Sequence, residues 1–142
     1  MKITDLPFNK LIGLNIAADS EYLLSLDDKP DYTNHLGTVH ASALFSLAEA
    51  TSGHFLLVNF PEFNSGLIPV VRYVEIKYKK PATGQISSTA ILIENTVEEI
   101  KEQLVTRKRA LVKLKVELFD TNKTNVLTGN FEWFVTIANI ST

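Results

Sequence analysis

The segment from His40 to Asn59 constrains the fold of this chain more than any other feature. It contains no proline and is rich in alanine and leucine, so it is too long for a strand and predicts one long α-helix that Pro61 ends. Apolar side chains cover most of its circumference, which is typical of a helix that a sheet wraps. The rest of the chain must therefore supply that sheet.

The segments after this helix alternate polar and apolar residues with the period of two that is typical of strands. They predict strands over residues 67–79, 85–95, 112–118 and 131–137, and the last two form a hairpin across the turn at 121–125. We therefore predict an α+β fold in which an antiparallel sheet carries helices on one face.

Two shorter helices are also predicted. Residues 4–12 place Leu6, Phe8, Leu11 and Ile12 at the spacing of an amphipathic helix, which Gly13 ends. The sequence Thr96-Val97-Glu98-Glu99 is a capping-box signature, so a second helix is predicted over residues 97–105.

Length and composition limit the functional classes. The 142 residues, 45% of them hydrophobic, predict a single domain over residues 1–142 that buries its own core. A formal net charge of −2 argues against nucleic acid or an anionic membrane surface as a partner. The chain has no cysteine, begins without the apolar core of a signal peptide and has no apolar run of roughly 18 residues, so we expect a cytoplasmic protein.

The long helix carries one narrow polar stripe. Ser42, Ser46, Glu49 and Gly53 fall within an arc of about 60° when successive residues turn by about 100°. An unpaired carboxylate is costly to bury, so Glu49 is exposed, paired or used. The stripe therefore indicates either a general base in a cleft with small neighbours that admit a substrate, or a surface that faces solvent or another subunit.

The polar loop 32–41 leads directly into the helix N-terminus. The first amide groups of a helix lack intrahelical partners and lie at the positive end of the dipole, so they suit an oxygen that gains negative charge. The Ala41 N–H is the candidate donor. His40 is a candidate for capping or orienting this turn, and Asn34 either holds a carbonyl or a water or simply forms the turn.

Taken together, these residues resemble the hotdog-fold thioesterase superfamily, in its PaaI-like and DUF4442-type branches. The pattern is Asn34, then His40 six residues later, then Glu49 nine residues after that. The segment 71–84, which contains Pro81-Ala82, is similar to the family's strand and the turn that follows it. The resemblance implies a hotdog fold, an antiparallel β-sheet wrapped around one long central α-helix.

The resemblance also implies a reaction. Glu49 would activate water, or attack directly, at the thioester carbonyl of an acyl-CoA, and the Ala41 amide would stabilise the carbonyl oxygen. Asn34 and His40 would orient the substrate or the water. Sites in this superfamily lie between two subunits, which implies a homodimer and leaves a dimer of dimers open. The residues assigned to substrate binding are Gly37, Ser42, Ser46, Val71, Arg72, Tyr73, Lys79 and Lys80.

Three positions depart from the family pattern. Ala41-Ser42 replaces a Gly pair of many relatives, so the amide survives but a Cβ crowds the approach to the carbonyl. Val71 replaces a Ser or Thr that some relatives place near the attacking water, and the side chain of valine cannot form a hydrogen bond to that water. Arg72 is in phase with inward-facing residues such as Val70 and would pair with Glu49 or reach a substrate phosphate, unless a bulge turns it outward.

Two other functions remain open. His35 precedes Glu49 by fourteen residues, the spacing of the acid–base pair in hydroxyacyl-thioester dehydratases, although Ala43-Leu44 replaces the Pro-Gly that typically opens the dehydratase helix. A non-catalytic acyl-CoA-binding protein is the other alternative.

Basic clusters are the candidate contacts for the phosphates of CoA. They are Lys79-Lys80 and Arg107-Lys108-Arg109, although most basic runs of this kind are solvated surfaces. We expect no cofactor, and no metal, because the three histidines share no helical face.

Overall fold

The computed structural model describes residues 1–63 and 66–138 of the chain. Its helices are α1 (Pro7–Ile12), α2 (Ala41–Asn59) and α3 (Val97–Arg107). Its strands are β1 (Asn15–Ile16), β2 (Leu24–Leu26), β3 (Leu67–Tyr78), β4 (Ile86–Leu92), β5 (Arg109–Phe119) and β6 (Asn125–Ile137). Short 3-10 turns occupy Ile3–Asp5, Pro30–Tyr32 and Pro61–Phe63.

The six strands form a single sheet in the order β1-β2-β4-β5-β6-β3, and every neighbouring pair is antiparallel. Alternate side chains of β5 and β6 are buried against α2, as the period of two predicts. This sheet around one long helix confirms the predicted α+β class and the hotdog architecture.

Helix α2 is apolar because the sheet covers it. Leu47, Ala48 and Leu56 are fully buried, and Phe60 follows the helix into the core. In length and hydropathy α2 would also suit a membrane span, with an 18-residue window that averages 1.2, but half of that window is buried within this chain. Core packing therefore accounts for its apolarity.

Of the two positions left open for Arg72, the outward one is found, because β3 contains a bulge. Its pairing with β6 shifts register between Val71 and Tyr73, so Arg72 is an extra residue in the ladder. Arg72 lies on the face away from α2, where its Nε is 3.6 Å from Glu132 Oε2. In the part of β3 before the bulge, the inward and outward faces are exchanged relative to the prediction. Val70 is exposed, and Val71 packs against the core.

The predicted helix over residues 4–12 is shorter, and only part of its predicted apolar face, Leu6 and Ile12, packs against the core. It begins at Pro7, a residue suited to the first helical turn, and Gly13 ends it with φ +80° in the left-handed region. Phe8 and Leu11 are exposed, whereas the polar Asn9 is buried. An apolar pattern over so few residues does not decide which face is buried, because neighbouring elements decide it.

Helix α3 follows the prediction closely. Thr96 Oγ1 accepts from the Glu99 amide and Glu99 Oε1 accepts from the Thr96 amide, both at 3.2 Å, which is the predicted capping box. Ile100 and Leu104 are buried, but Val105 is exposed, so the apolar stripe is narrower than predicted.

Candidate active site

Glu49 lines a largely apolar cavity. This Glu49 cavity has a volume of about 460 Å³. The N-terminal segment supplies one wall through Met1, Ile3 and Leu6, and α2 supplies another. The remaining wall consists of Trp133 and four residues of β3, which are Leu67, Pro69, Val70 and Val71. The predicted base and the predicted substrate-binding residue Val71 therefore lie in the same cavity.

The Glu49 carboxylate is partly withdrawn from water. The side chain is half-buried, and burial raises the pKa of this carboxyl above its ordinary value of 4.5. Within the described residues the carboxylate forms neither an ion pair nor a hydrogen bond. A carboxylate whose charged form is disfavoured in this way is a stronger base than one in water, and it keeps free lone pairs for a water or a substrate.

A buried hydrogen-bond chain supports the backbone beneath Glu49. Trp133 Nε1 donates to Ser52 Oγ over 2.9 Å, and Ser52 Oγ donates to the Glu49 carbonyl over 2.7 Å. This chain joins α2 to β6 at the base of the cavity. Trp133 was not among the predicted site residues, because in the sequence it is only one apolar position of an alternating strand.

A second concave surface, here called the Ala41 groove, has a volume of about 300 Å³. Its lining includes Ala41, Asn34, Lys79 and Lys80. Asn34 forms the loop beside it: its Oδ1 accepts from the amides of Leu36 and Thr38 at 2.9 and 3.0 Å. Its Nδ2 donates to Thr38 Oγ1 over 2.8 Å. The same turn includes Gly37, exposed and with φ +77°.

At the N-terminus of α2, beside the Ala41 groove, three of the first four backbone amides donate a hydrogen bond within the described residues. His40 is the N-cap, and its Nδ1 accepts from the Ser42 amide over 2.9 Å. The Ala43 and Leu44 amides donate to the His40 carbonyl. The Ala41 N–H has no acceptor within the described residues, so it is available to an oxygen of a ligand.

The other predicted site residues lie apart from these two surfaces. His40, Ser42 and Ser46 line a groove that α2 forms with α1. Tyr73 lies beside Glu132 on the face of the sheet away from α2, as Arg72 does. These positions do not bring Arg72 or Tyr73 to Glu49. His35 is exposed on the loop and lines neither the Glu49 cavity nor the Ala41 groove.

Within one chain the predicted base, Glu49, and the predicted oxyanion donor, the Ala41 amide, cannot act on the same carbonyl. Ala41 and Glu49 are eight residues apart on one helix, which separates them by about 12 Å along its axis. Glu49 opens into its own cavity and Ala41 into the other groove.

Tyr78 is the second site residue that sequence reasoning missed. It is the last residue of β3, it lines the Ala41 groove, and its Oη lies 3.4 Å from the Ala41 carbonyl. Burial raises the pKa of its hydroxyl above 10.0, so this group stays protonated. Its position before the turn at Pro81-Ala82 was the only signal for it in the sequence.

The described residues contain no group of three or more His, Asp or Glu side chains that could hold a metal ion. The groups that line the Glu49 cavity and the Ala41 groove include a carboxylate, backbone amides, a phenol and two lysines.

Solved structures of other proteins share this fold. A Pseudomonas aeruginosa protein of unknown function, described as a probable thioesterase, is 23% identical with a TM-score of 0.80, covering 96% of this chain and 91% of that one. A Bacillus halodurans protein solved with CoA is 18% identical with a TM-score of 0.63, covering 79% and 69%. A hypothetical thioesterase from Streptococcus pneumoniae, also solved with coenzyme A, is 19% identical with a TM-score of 0.59, covering 80% and 77%.

At these identities the likeness concerns the fold. No functionally curated protein matches the chain. Residues 12–135 match the family model described as Domain of unknown function (DUF4442). This match spans most of the 142 residues and includes the whole of α2, the loop before it, β3, β4, β5 and all but the last two residues of β6, so the protein belongs to the DUF4442 family.

Proposed function

We propose that this protein hydrolyses acyl-CoA or aryl-CoA thioesters to a free acid and CoA. The observation that carries the proposal is a half-buried, unpaired Glu49 carboxylate that opens into an apolar cavity. Glu49 takes a proton from water, and the hydroxide attacks the thioester carbonyl carbon. The carbon–sulfur bond then breaks, and the proton goes to the departing CoA sulfur. That two proteins of the same fold were solved with CoA supports this substrate class.

The Ala41 N–H is the proposed donor to the carbonyl oxygen as it gains negative charge. It lies at the positive end of α2 and is not used within the described residues. His40 is then a positioning residue, because its Nδ1 caps the turn that aims this amide. Asn34 is also a positioning residue, because its hydrogen bonds hold the loop that leads into α2.

The proposed site is shared between two copies of the chain, because β3 is suited to bring them together. On one side β3 pairs with β6; its other edge has no strand beside it among the described residues. This edge strand exposes Ile68, Val70 and Tyr73, and unpaired edges readily pair with another chain.

Antiparallel pairing of β3 with a second β3 would also complete the site. The first half of β3, residues 67–71, lines the Glu49 cavity, whereas its last residue, Tyr78, contacts Ala41. In an antiparallel pair the end of one strand lies beside the start of the other. The Ala41 end of one copy would therefore lie beside the Glu49 cavity of the second. We propose this homodimer as the active unit, with two composite sites.

Lys79 and Lys80 are the proposed contacts for the phosphates of CoA. Both are exposed, both line the Ala41 groove, and neither forms an ion pair within the described residues. Arg107-Lys108-Arg109 is exposed where α3 meets β5 and is not needed for this proposal. We propose a cytoplasmic location, in keeping with a chain that has no cysteine.

The first experiment is free-thiol release from a panel of acyl- and aryl-CoA thioesters by wild type and Glu49→Gln. Gln keeps the shape of the side chain but cannot accept the proton, so we expect a loss of about 10²-fold or more. The matched control is Glu98→Gln, the same change at an exposed position of α3, which should leave the rate unchanged. In wild type the rate should fall as pH drops, with its midpoint above 4.5, because burial raises the pKa of Glu49.

The outcomes separate the candidate functions. Equal rates in wild type and Glu49→Gln would remove Glu49 from the mechanism. Folded wild type that binds acyl-CoA but releases no thiol from any member of the panel would identify a non-catalytic acyl-CoA-binding protein. Loss of water from a hydroxyacyl-CoA, abolished by His35→Ala, would instead identify a dehydratase.

A further inference from the structure

We propose that the N-terminal segment, residues 1–6, is the specificity-determining wall of the acyl pocket, and that the pocket accepts unsubstituted hydrocarbon acyl groups up to a length set by this segment. The inference rests on the proposed function, since it places the acyl group of the thioester in the Glu49 cavity. It adds which part of the chain limits the substrate.

The contacts between Ile3 and α2 make this segment a wall. Ile3 is only 6% exposed, and a Cβ added at Gly53 would lie 3.3 Å from Ile3 Cδ1. The N-terminal segment and α2 therefore approach so closely at this point that a side chain larger than that of glycine would press against Ile3. Gly53 lies on the same stripe of the helix as Glu49, one turn further along. Any chain that extends from the carbonyl past Glu49 meets Gly53 and Ile3 next.

A buried hydrogen bond holds the wall in place. Asn9 Nδ2 donates to the Ile3 carbonyl over 3.0 Å, and Asn9 is only 9% exposed. This contact explains why α1 buries a polar residue while Phe8 and Leu11 face outward. A buried amide is retained where it satisfies a backbone group that would otherwise lack a partner. The orientation of α1 therefore follows from anchoring the wall.

The lining restricts the chemistry of the acyl group. Among the described residues that line the cavity, the only side-chain hydrogen-bond donor is Trp133 Nε1, and Ser52 already accepts from it. A carboxylate on the acyl chain would lose its hydration with no free side-chain donor to replace it, and it would lie near the Glu49 carboxylate. The cavity of about 460 Å³ is roughly three times the ~150 Å³ that holds a benzene molecule, so it has room for a chain rather than an acetyl group alone.

The test uses binding rather than turnover. Non-hydrolysable S-alkyl-CoA thioethers with chains of about two to sixteen carbons would be titrated into wild type and variants. In wild type we expect affinity to rise by up to about fourfold per methylene and then to level off once the cavity is full. An ω-carboxyl chain of the same length should bind at least about tenfold more weakly than the hydrocarbon.

Two variants should shift the chain length at which affinity levels off, and they should shift it in opposite directions. Ile3→Val removes one methyl group from the wall, so the levelling-off should shift to longer chains. Gly53→Ala narrows the space against Ile3 Cδ1, so the shift should be to shorter chains. Alanine is also the better helix former, which offsets part of the cost of this close contact. Leu11→Ala, at an 81% exposed position of α1 outside the cavity, is the control and should leave the profile unchanged.

An identical chain-length profile in wild type, Ile3→Val and Gly53→Ala would overturn the inference, as would equal affinity for the ω-carboxyl chain. Thiol release that depends on Glu49 would stand even in that case. Conversely, a limit that moves as expected in a protein without thiol release would support the wall and reject hydrolysis.

Discussion

Ala41 allows the proposed oxyanion donor to be removed without removing a side chain. It is the first residue of α2, where proline is well tolerated because the N–H there has no intrahelical partner. His40 before it has φ −62° and ψ 140°, which suits a residue that precedes proline. Ala41→Pro should therefore leave the fold intact and lower kcat for thiol release by about 10²- to 10³-fold.

Ala41→Ser is the matched control, since it keeps the amide and changes only the side chain. Circular dichroism and melting temperature of both variants should equal those of wild type. A proline variant that is folded and fully active would mean that the Ala41 amide does not contact the carbonyl oxygen.

At the scale of elements, a buried hydroxyl pair ties α2 to the sheet. Thr51 Oγ1 lies 2.6 Å from Ser88 Oγ, and Ser88 Oγ lies 3.2 Å from both the amide and the carbonyl of Leu24. Ser88 and Thr51 are fully buried. One side chain of β4 thus joins the short strand β2 to the helix.

Ser88→Ala should lower the free energy of unfolding by about 1–3 kcal/mol, because it leaves buried polar groups without a partner. Urea unfolding measures this change. Ser87→Ala, the same substitution one position along β4 at a half-buried residue, should change the free energy of unfolding by less than about 0.5 kcal/mol. Equal effects of the two substitutions would show that the hydroxyl pair does not stabilise the fold.

At the scale of the whole molecule, the composite site can be tested by mixing two inactive chains. In a heterodimer of Glu49→Gln with Ala41→Pro, a site built from both copies pairs the intact Glu49 with the intact Ala41 once per dimer. Random co-expression makes half of the dimers heterodimers, so about a quarter of wild-type activity should return.

If the site instead lay within a single copy, every site of the heterodimer would carry one defect. No activity would then return beyond the residual rates of the two parent proteins. Sedimentation of the wild type provides the accompanying control, because complementation requires at least a dimer.

The β3 bulge is a feature that the alternating pattern of the strand does not reveal. A strict period of two placed Val70 and Arg72 on the inward face, yet one extra residue reverses the phase of the strand before it. The bulge is defined by the register between β3 and β6, so a pattern within β3 alone does not contain it. The same limit applies to α1, whose buried face depends on the contact of Asn9 with Ile3.

The sequence by itself determined the long helix, the four long strands and the α3 capping box, because periodicity and capping depend on residues close together in the chain. It also singled out Glu49 as a candidate base, because a charged residue on an otherwise apolar helix is conspicuous in the sequence. Only the tertiary structure decided that Arg72 pairs with Glu132, that Trp133 lines the Glu49 cavity and Tyr78 the Ala41 groove, and that Met1, Ile3 and Leu6 line the Glu49 cavity. These features join residues far apart in the chain, and their energies depend on packing that no local pattern records.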